Sequence, residues 1–241
     1  MTTSSRTPSS PDDHGSPNRR MFLLASGLFL AGCATTKPTV VSGLPDPWWA
    51  SPVKPVNPGP VTPTVPTPAL PAGVISRTAW AKGKPVPARM SQGRRITRIT
   101  VHHDGMKPFT DTSYAAASSR LESIRRAHLR RKPQRFGDIG YHYAIDPAGR
   151  VWGCRPLTYQ GAHVGGQNQG NLGIVVLGNF DKQSLNRAQQ AAIMSFIAGE
   201  SRRYAVSSSR IHTHQEMAPT ACPGQVLQRY MVDIRRSGSL T

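Results

Sequence analysis

The sequence predicts an α/β protein of the α+β kind, with a mixed central β-sheet, helices packed on one face and a substrate groove left open on the other. Three observations carry this. Residues 96–101 set Ile96, Ile99 and Val101 among threonines, a strand composition. The unbroken run Ile174, Val175, Val176 and Leu177 suits a strand buried on both faces. Between and after these runs apolar residues recur at helical spacing, so strands and helices alternate.

The chain opens on a segment separate from that fold. Residues 1–20 are polar and end in Arg19 and Arg20, and residues 21–31 are mostly apolar. An apolar run this short, against the ~20 residues needed to span hydrocarbon, reads as an export signal. The residues around Arg19 and Arg20 resemble a twin-arginine signal, while a Sec signal would also carry positive charge there, and both routes stay open. Leu30-Ala-Gly-Cys33 resembles a bacterial lipobox, which implies removal of residues 1–32 and a lipid on Cys33 holding the protein to a membrane. That resemblance implies a bacterial cell envelope location facing the periplasm, and Ala34 after the cysteine favours the outer membrane.

Residues 33–72 form a linker. Many of the chain's 22 prolines lie between Pro38 and Pro71, and proline-rich chain is extended at ~3.1 Å per residue. Trp48 and Trp49 within it can serve as a partner anchor or lie against the interface or the domain. With Cys33 assigned to lipid, Cys154 and Cys222 are too few for a disulfide framework. One folded domain, residues 73–241, remains, expected to be monomeric.

Formal net charge is +18, and from Gly73 onward 25 Lys and Arg stand against 9 Asp and Glu. Such a field concentrates polyanions. For an exported protein these are wall carboxylates, anionic lipids and phosphate-bearing polymers, and nucleic acid is not expected as a partner. The run from Arg125 to Lys132 reads equally as a solvated helix face or as a grip on an anionic polymer.

The strand at 96–101 leads into His102 and His103. Alternation puts His103 with Ile99 and Val101, and His102 with Arg98 and Thr100, so His102 points to the open face if the apolar side is core. A helix follows from the capping residues at 111–113, with Leu121, Ile124 and His128 in phase, ending before Pro133. Residues 139–145 make a second strand, closed by the turn from Asp146 to Gly149, with Val151 and Trp152 as hairpin partner. Ser184 is the expected cap of a helix whose stripe is Ala188, Ala192, Ile193, Phe196 and Ile197. A last strand near Ile211 delivers His212, His214 and Cys222.

Imidazole and thiolate suit Zn2+ better than the oxygen-seeking magnesium or calcium, and a catalytic zinc keeps three protein ligands and one open position. One histidine of the early pair and two late ligands fill that quota. His212 and His214 would share a strand face, so spacing alone does not separate them. Glu216 in the same segment is a carboxylate available as a base, or a solvated loop residue.

The order of motifs then becomes specific: Thr100 to His103, Gly137 to Tyr143, Gly161-Ala-His163, Asn171 to Gly178, and His214 to Gly224. Residues 73–236 resemble the zinc-dependent N-acetylmuramoyl-L-alanine amidases of the phage lysozyme and peptidoglycan-recognition-protein superfamily. The resemblance implies His102, His214 and Cys222 as metal ligands; His212 is then left to orient the site from behind. It implies Tyr141 as a catalytic hydroxyl, against its reading as a core aromatic beside Ile139, Tyr143 and Ile145. Thr220 matches a position that is lysine or threonine in the family, where a hydroxyl can donate to an oxyanion. His163 and Asn168 fall where the family meets glycan or stem peptide, and His103 is a supporting or substrate-contacting histidine. Cys154 matches no ligand and reads as packing.

The implied reaction is hydrolysis of the amide between N-acetylmuramic acid and the L-alanine of the stem peptide, with peptidoglycan or muropeptides as substrate. A peptidoglycan-binding module of the same fold and a basic polyanion-binding envelope protein are the alternatives.

Overall fold

The computed structural model describes residues 68–240, so the expected signal, the lipidation at Cys33, Trp48, Trp49 and most of the linker lie outside the described residues. The chain forms β1 (Arg98–His103), α1 (Tyr114–Arg130), β2 (Tyr143–Ile145), β3 (Val151–Gly153), β4 (Asn171–Val176), α2 (Arg187–Tyr204), β5 (Ile211–Thr213) and α3 (Gln225–Arg236). The five strands make one sheet in the order β3-β2-β4-β1-β5. β1 pairs in parallel with both β4 and β5, β2 is parallel to β4, and β3 closes an antiparallel hairpin on β2. The sheet is mixed, as the sequence predicts. Among the described residues no helix is long and apolar enough to cross a membrane.

Alternation along the strands sorts side chains onto two faces. Ile99 and Val101 of β1, Tyr143 and Ile145 of β2, and Leu172, Ile174 and Val176 of β4 pack with Ile193 and Ile197 of α2 and Leu227 and Met231 of α3. Ala144, Val175 and Leu177 face the other way and pack with Ala117, Leu121 and Ile124 of α1, Trp80 and Trp152. Helices therefore cover both faces, a refinement of the predicted one-sided arrangement. On the second face α1 covers the β2–β4 end and flanks the region where Thr100 and His102 emerge. The predicted helix after residue 111 is α1, with Ser113 Oγ accepting from Ala116 N–H at 3.2 Å.

Three elements differ from the sequence expectation. The cap of α2 is Asn186, not Ser184: its Oδ1 accepts from Gln189 N–H and its Nδ2 donates to Pro147 O, each at 2.8 Å. The helix thus starts later, Ala188 is exposed, and the buried position is Gln189, whose Nε2 donates to Leu177 O. The strand expected over 139–145 is regular only from Tyr143: His142 still donates to Gly173 O of β4 and accepts from Cys154 N–H, while the carbonyls of Tyr141 and Gly140 accept from Arg155 and Ala162 N–H. Helix α3 was not expected. Its N-cap is Gly224 at φ 86°, with no side-chain cap of its own, and its first N–H, on Gln225, donates to Asp181 Oδ1 from 44 residues away at 2.9 Å.

Candidate metal centre

The central place of β1 positions the first donor. Thr100 and His102 project on the face opposite Ile99 and Val101, and His102 is buried at 1% exposure. Strand β5 runs parallel beside β1 with Thr213 level with Val101, so the next residue, His214, emerges next to His102, their ring centroids 4.6 Å apart. The loop beyond returns on itself: Gln215 N–H donates to Cys222 O at 2.8 Å, which closes residues 215–222 and sets Cys222 Sγ 3.6 Å from His102 Nδ1. Ligand atoms of His102, His214 and Cys222 all lie within 4.8 Å of one another. His212, which spacing could not separate from His214, pairs with Thr100 across the sheet and stays outside this cluster.

The donor set fits zinc. Burial, with His163, His214 and His103 nearby, holds the His102 imidazole well below its usual pKa, and burial lowers His214 as well. Both are thus neutral, the form that binds metal. Burial, with Asp181 adding to it, pushes the Cys222 thiol up to about 12. Among the described residues no neighbouring cation holds it as thiolate, so a divalent ion is the partner that would do so. The residues that would hold zinc are His102, His214 and Cys222.

Tyr141 is not the core aromatic that an extended strand would have made it. The irregular backbone before Tyr143 turns its ring away from Tyr143 and against His102, centroid to centroid 5.1 Å. Burial raises its hydroxyl well above the usual range, so it remains a proton donor. Thr220 is exposed at the loop edge, its Oγ1 accepting from Cys222 N–H at 3.2 Å, which leaves its own hydrogen free to donate.

The expected substrate contacts are placed differently. His103 lies on the α2/α3 side of the sheet, where Nδ1 accepts from Phe180 N–H at 3.3 Å and a Cβ on Gly224 would come within 3.1 Å of the same nitrogen. It therefore braces the loop after β4, not a ligand in the groove. Asn168 spends its Oδ1 on the N–H groups of His163 and Val164, both at 2.8 Å. His163 is buried at 9% exposure and hydrogen-bonds His102 and the Asn171 carbonyl.

Glu216 is a structural acceptor. It takes hydrogen bonds from Thr213 N–H, Gln228 and Arg235, in a capping box at the turn that starts with His214. Its burial opposes ionisation, but these donors, Arg235 foremost, outweigh that and bring its pKa down to about 2. Cys154 is buried in the second core cluster, as expected of packing. In the basic run, Arg125 is buried in a bidentate pair with Glu122 on α1, while Arg126 and Arg130 are exposed.

Two contributors escaped the sequence. His128, assigned to a helix stripe, accepts from Gly140 N–H through Nδ1 at 2.9 Å and packs its ring, tilted at 53°, 5.7 Å from that of Tyr141, fixing the turn that aims the tyrosine. Met217 anchors the ligand loop: its carbonyl accepts from Gln167 Nε2 at 2.8 Å and its sulfur lies 3.0 Å from Thr100 Oγ1, whose hydrogen goes to Asn171 Oδ1 at 2.8 Å. For His128 the available signal was a histidine in an otherwise apolar stripe; for Met217 there was none.

Known proteins share this fold. Residues 92–225 match the family described as N-acetylmuramoyl-L-alanine amidase. Over 155 residues the chain is 28% identical to peptidoglycan-recognition protein SD of Drosophila simulans, covering 64% of this chain and 81% of that protein. The fold is similar to that of a Drosophila PGRP-LB mutant solved with tracheal cytotoxin (TM-score 0.58, 21% identity, 67% of this chain and 92% of that one). It is also similar to the N-acetylmuramoyl-L-alanine amidase LysC from Clostridium intestinale (TM-score 0.53, 19% identity, 67% and 96%). The family match spans more than half of the chain, which therefore belongs to the N-acetylmuramoyl-L-alanine amidase family, within the type 2 amidase and peptidoglycan recognition protein superfamily.

Proposed function

We propose that this chain is a zinc-dependent peptidoglycan hydrolase that cleaves the amide between N-acetylmuramic acid and the L-alanine of the stem peptide. The observation that carries it is the convergence of His102, His214 and Cys222 to within 4.8 Å of one another with Tyr141 packed beside them. Bound there, zinc supplies Lewis acidity toward the scissile carbonyl and lowers the pKa of water toward ~7.

The chain's own residues do the rest. Tyr141, with a hydroxyl that stays protonated, donates to the oxygen on which charge develops as the carbonyl is attacked. The Thr220 hydroxyl supplies a second, neutral donor at the groove edge. The buried His102 and its neighbours exclude water from behind, so these donors act in a low-dielectric setting where they count for more. Glu216, tied to Arg235, leaves no free carboxylate base in the ligand loop. The departing amine then takes its proton from the attacking water.

We further propose an envelope protein exported on residues 1–32 and held to a membrane, the outer one preferred, by a lipid on Cys33, with the linker spanning to the wall. The tracheal cytotoxin complex of PGRP-LB supports a muropeptide ligand for this groove. The test is Cys222→Ser, assayed by mass spectrometry for stem peptides released from purified wall, beside metal analysis of the wild type. The proposal expects zinc near one equivalent and release that the variant loses. Wild-type protein that binds wall without releasing peptides would instead be a recognition module.

A further inference from the structure

We infer that His163 is a positioning residue that holds the His102 ring with Nδ1 turned toward Cys222 and His214, and is not a contact for the substrate; the inference rests on the metal reading above. The hydrogen bonds permit one arrangement of protons. The Asn171 backbone carbonyl can only accept, and it lies 3.1 Å from His163 Nε2, so that nitrogen carries the hydrogen. His163 Nδ1 is then a bare acceptor 3.0 Å from His102 Nε2, which must donate to it. His102 Nδ1 is left as a lone pair, and it is the nitrogen 3.6 Å from Cys222 Sγ. Reversing either ring sets a lone pair against the carbonyl oxygen or against the other ring's lone pair.

The seat of His163 is built for one ring position. A Cβ on Gly161 would stand 2.5 Å from its Cδ2, and one on Gly173 would stand 2.5 Å from Cδ2 and 2.6 Å from Nε2. Both glycines are therefore the walls of a slot. Asn168 Oδ1 clamps the backbone of the same residue through the N–H groups of His163 and Val164. The Gly161-Ala-His163 motif, Asn168, Asn171 and Gly173 thus serve one purpose, the placing of His163 against His102. Partners of this kind set the tautomer and basicity of a ligand imidazole, and losing one typically costs about 10- to 100-fold in metal affinity.

The test measures zinc affinity of the purified full-length chain by competition with a chelating indicator, without substrate. His163→Leu fills the slot without an acceptor and is expected to weaken zinc by about 10- to 100-fold. His163→Asn puts an amide oxygen near the place of Nδ1 and is expected to recover most of that loss. Gly173→Ala, which pushes on the ring from outside the site, is expected to weaken zinc as well. Should the leucine variant fold poorly, nitrogen-detected NMR of the metal-free wild type reads the same point, and a hydrogen on His102 Nε2 is expected. Zinc affinity unchanged in His163→Leu, a raised KM alone in that variant, or a hydrogen on His102 Nδ1 overturns the inference and leaves the amidase reading standing. A wild type that releases stem peptides yet binds no zinc overturns both.

Discussion

Glu216→Gln separates a catalytic carboxylate from a structural one. The side chain joins three parts of the chain: it accepts from Thr213 N–H at the end of β5, from Gln228 and from Arg235 on α3. The Arg235–Glu216 pair is mostly covered, with 19% and 26% of the side chains exposed. Hydrogen bonds to charged groups contribute about 1.5–3 kcal/mol each and do not add fully. The amide keeps one acceptor oxygen and removes the charge, so a loss of about 2 kcal/mol is expected, read as a fall in melting temperature of about 4–8 °C for a domain of this size. The assay is thermal unfolding of the zinc-loaded protein, with kcat measured well below the transition. Reduced stability with kcat within about threefold of wild type is the expected result. An unchanged melting temperature with kcat reduced a hundredfold or more would make Glu216 the base and refute the reasoning from its hydrogen bonds.

Other outcomes follow from the same geometry. Tyr141→Phe keeps the ring packed on His102 and removes only the donor, so kcat should fall about 10²–10³-fold with zinc content unchanged by metal analysis. Gly224→Ala forces a side chain to φ 86° and a Cβ to 2.7 Å from the Phe180 carbonyl carbon, and should cost about 1–3 kcal/mol or more in denaturant unfolding. His142 is lowered from 6.5 to about 4, mainly by burial, while its Nδ1 accepts from Gly173 N–H and its Nε2 donates to Tyr159 O. Because the unfolded chain binds that proton more readily, the contribution is full above about pH 6.5 and falls as pH drops toward about 4, by about 3 kcal/mol. His142→Gln should be less stable at neutral pH but should lose about 3 kcal/mol less than wild type between neutral pH and pH 4, by urea midpoints.

Much of this was legible in the chain because it depends on local periodicity and on chemistry carried in short segments. Strand composition in residues 96–101 and the unbroken apolar run at 174–177 made the two central strands readable, and alternation along the first set His102 apart from His103 before any contact was known. Period 3.6 located α1 and α2, and the clustering of imidazoles and a thiol near residue 214 pointed to a candidate metal site, since few other arrangements use that donor set.

What only the tertiary structure decided is where partners come from distant parts of the chain. Helix α3 takes its first cap from Asp181, and α2 is fixed at Asn186 through Pro147, so neither start is written in adjacent residues. Tyr141 lies beside His102 on a segment tied by backbone hydrogen bonds to residues 154, 155, 162 and 173. His214, and not His212, stands with His102 and Cys222 because parallel pairing with β1 ends at Thr213, and Glu216 is held by Arg235, 19 residues on. The sequence by itself determined which chemistry was available. Non-local hydrogen bonds, which no spacing rule encodes, determined which of those residues face one another.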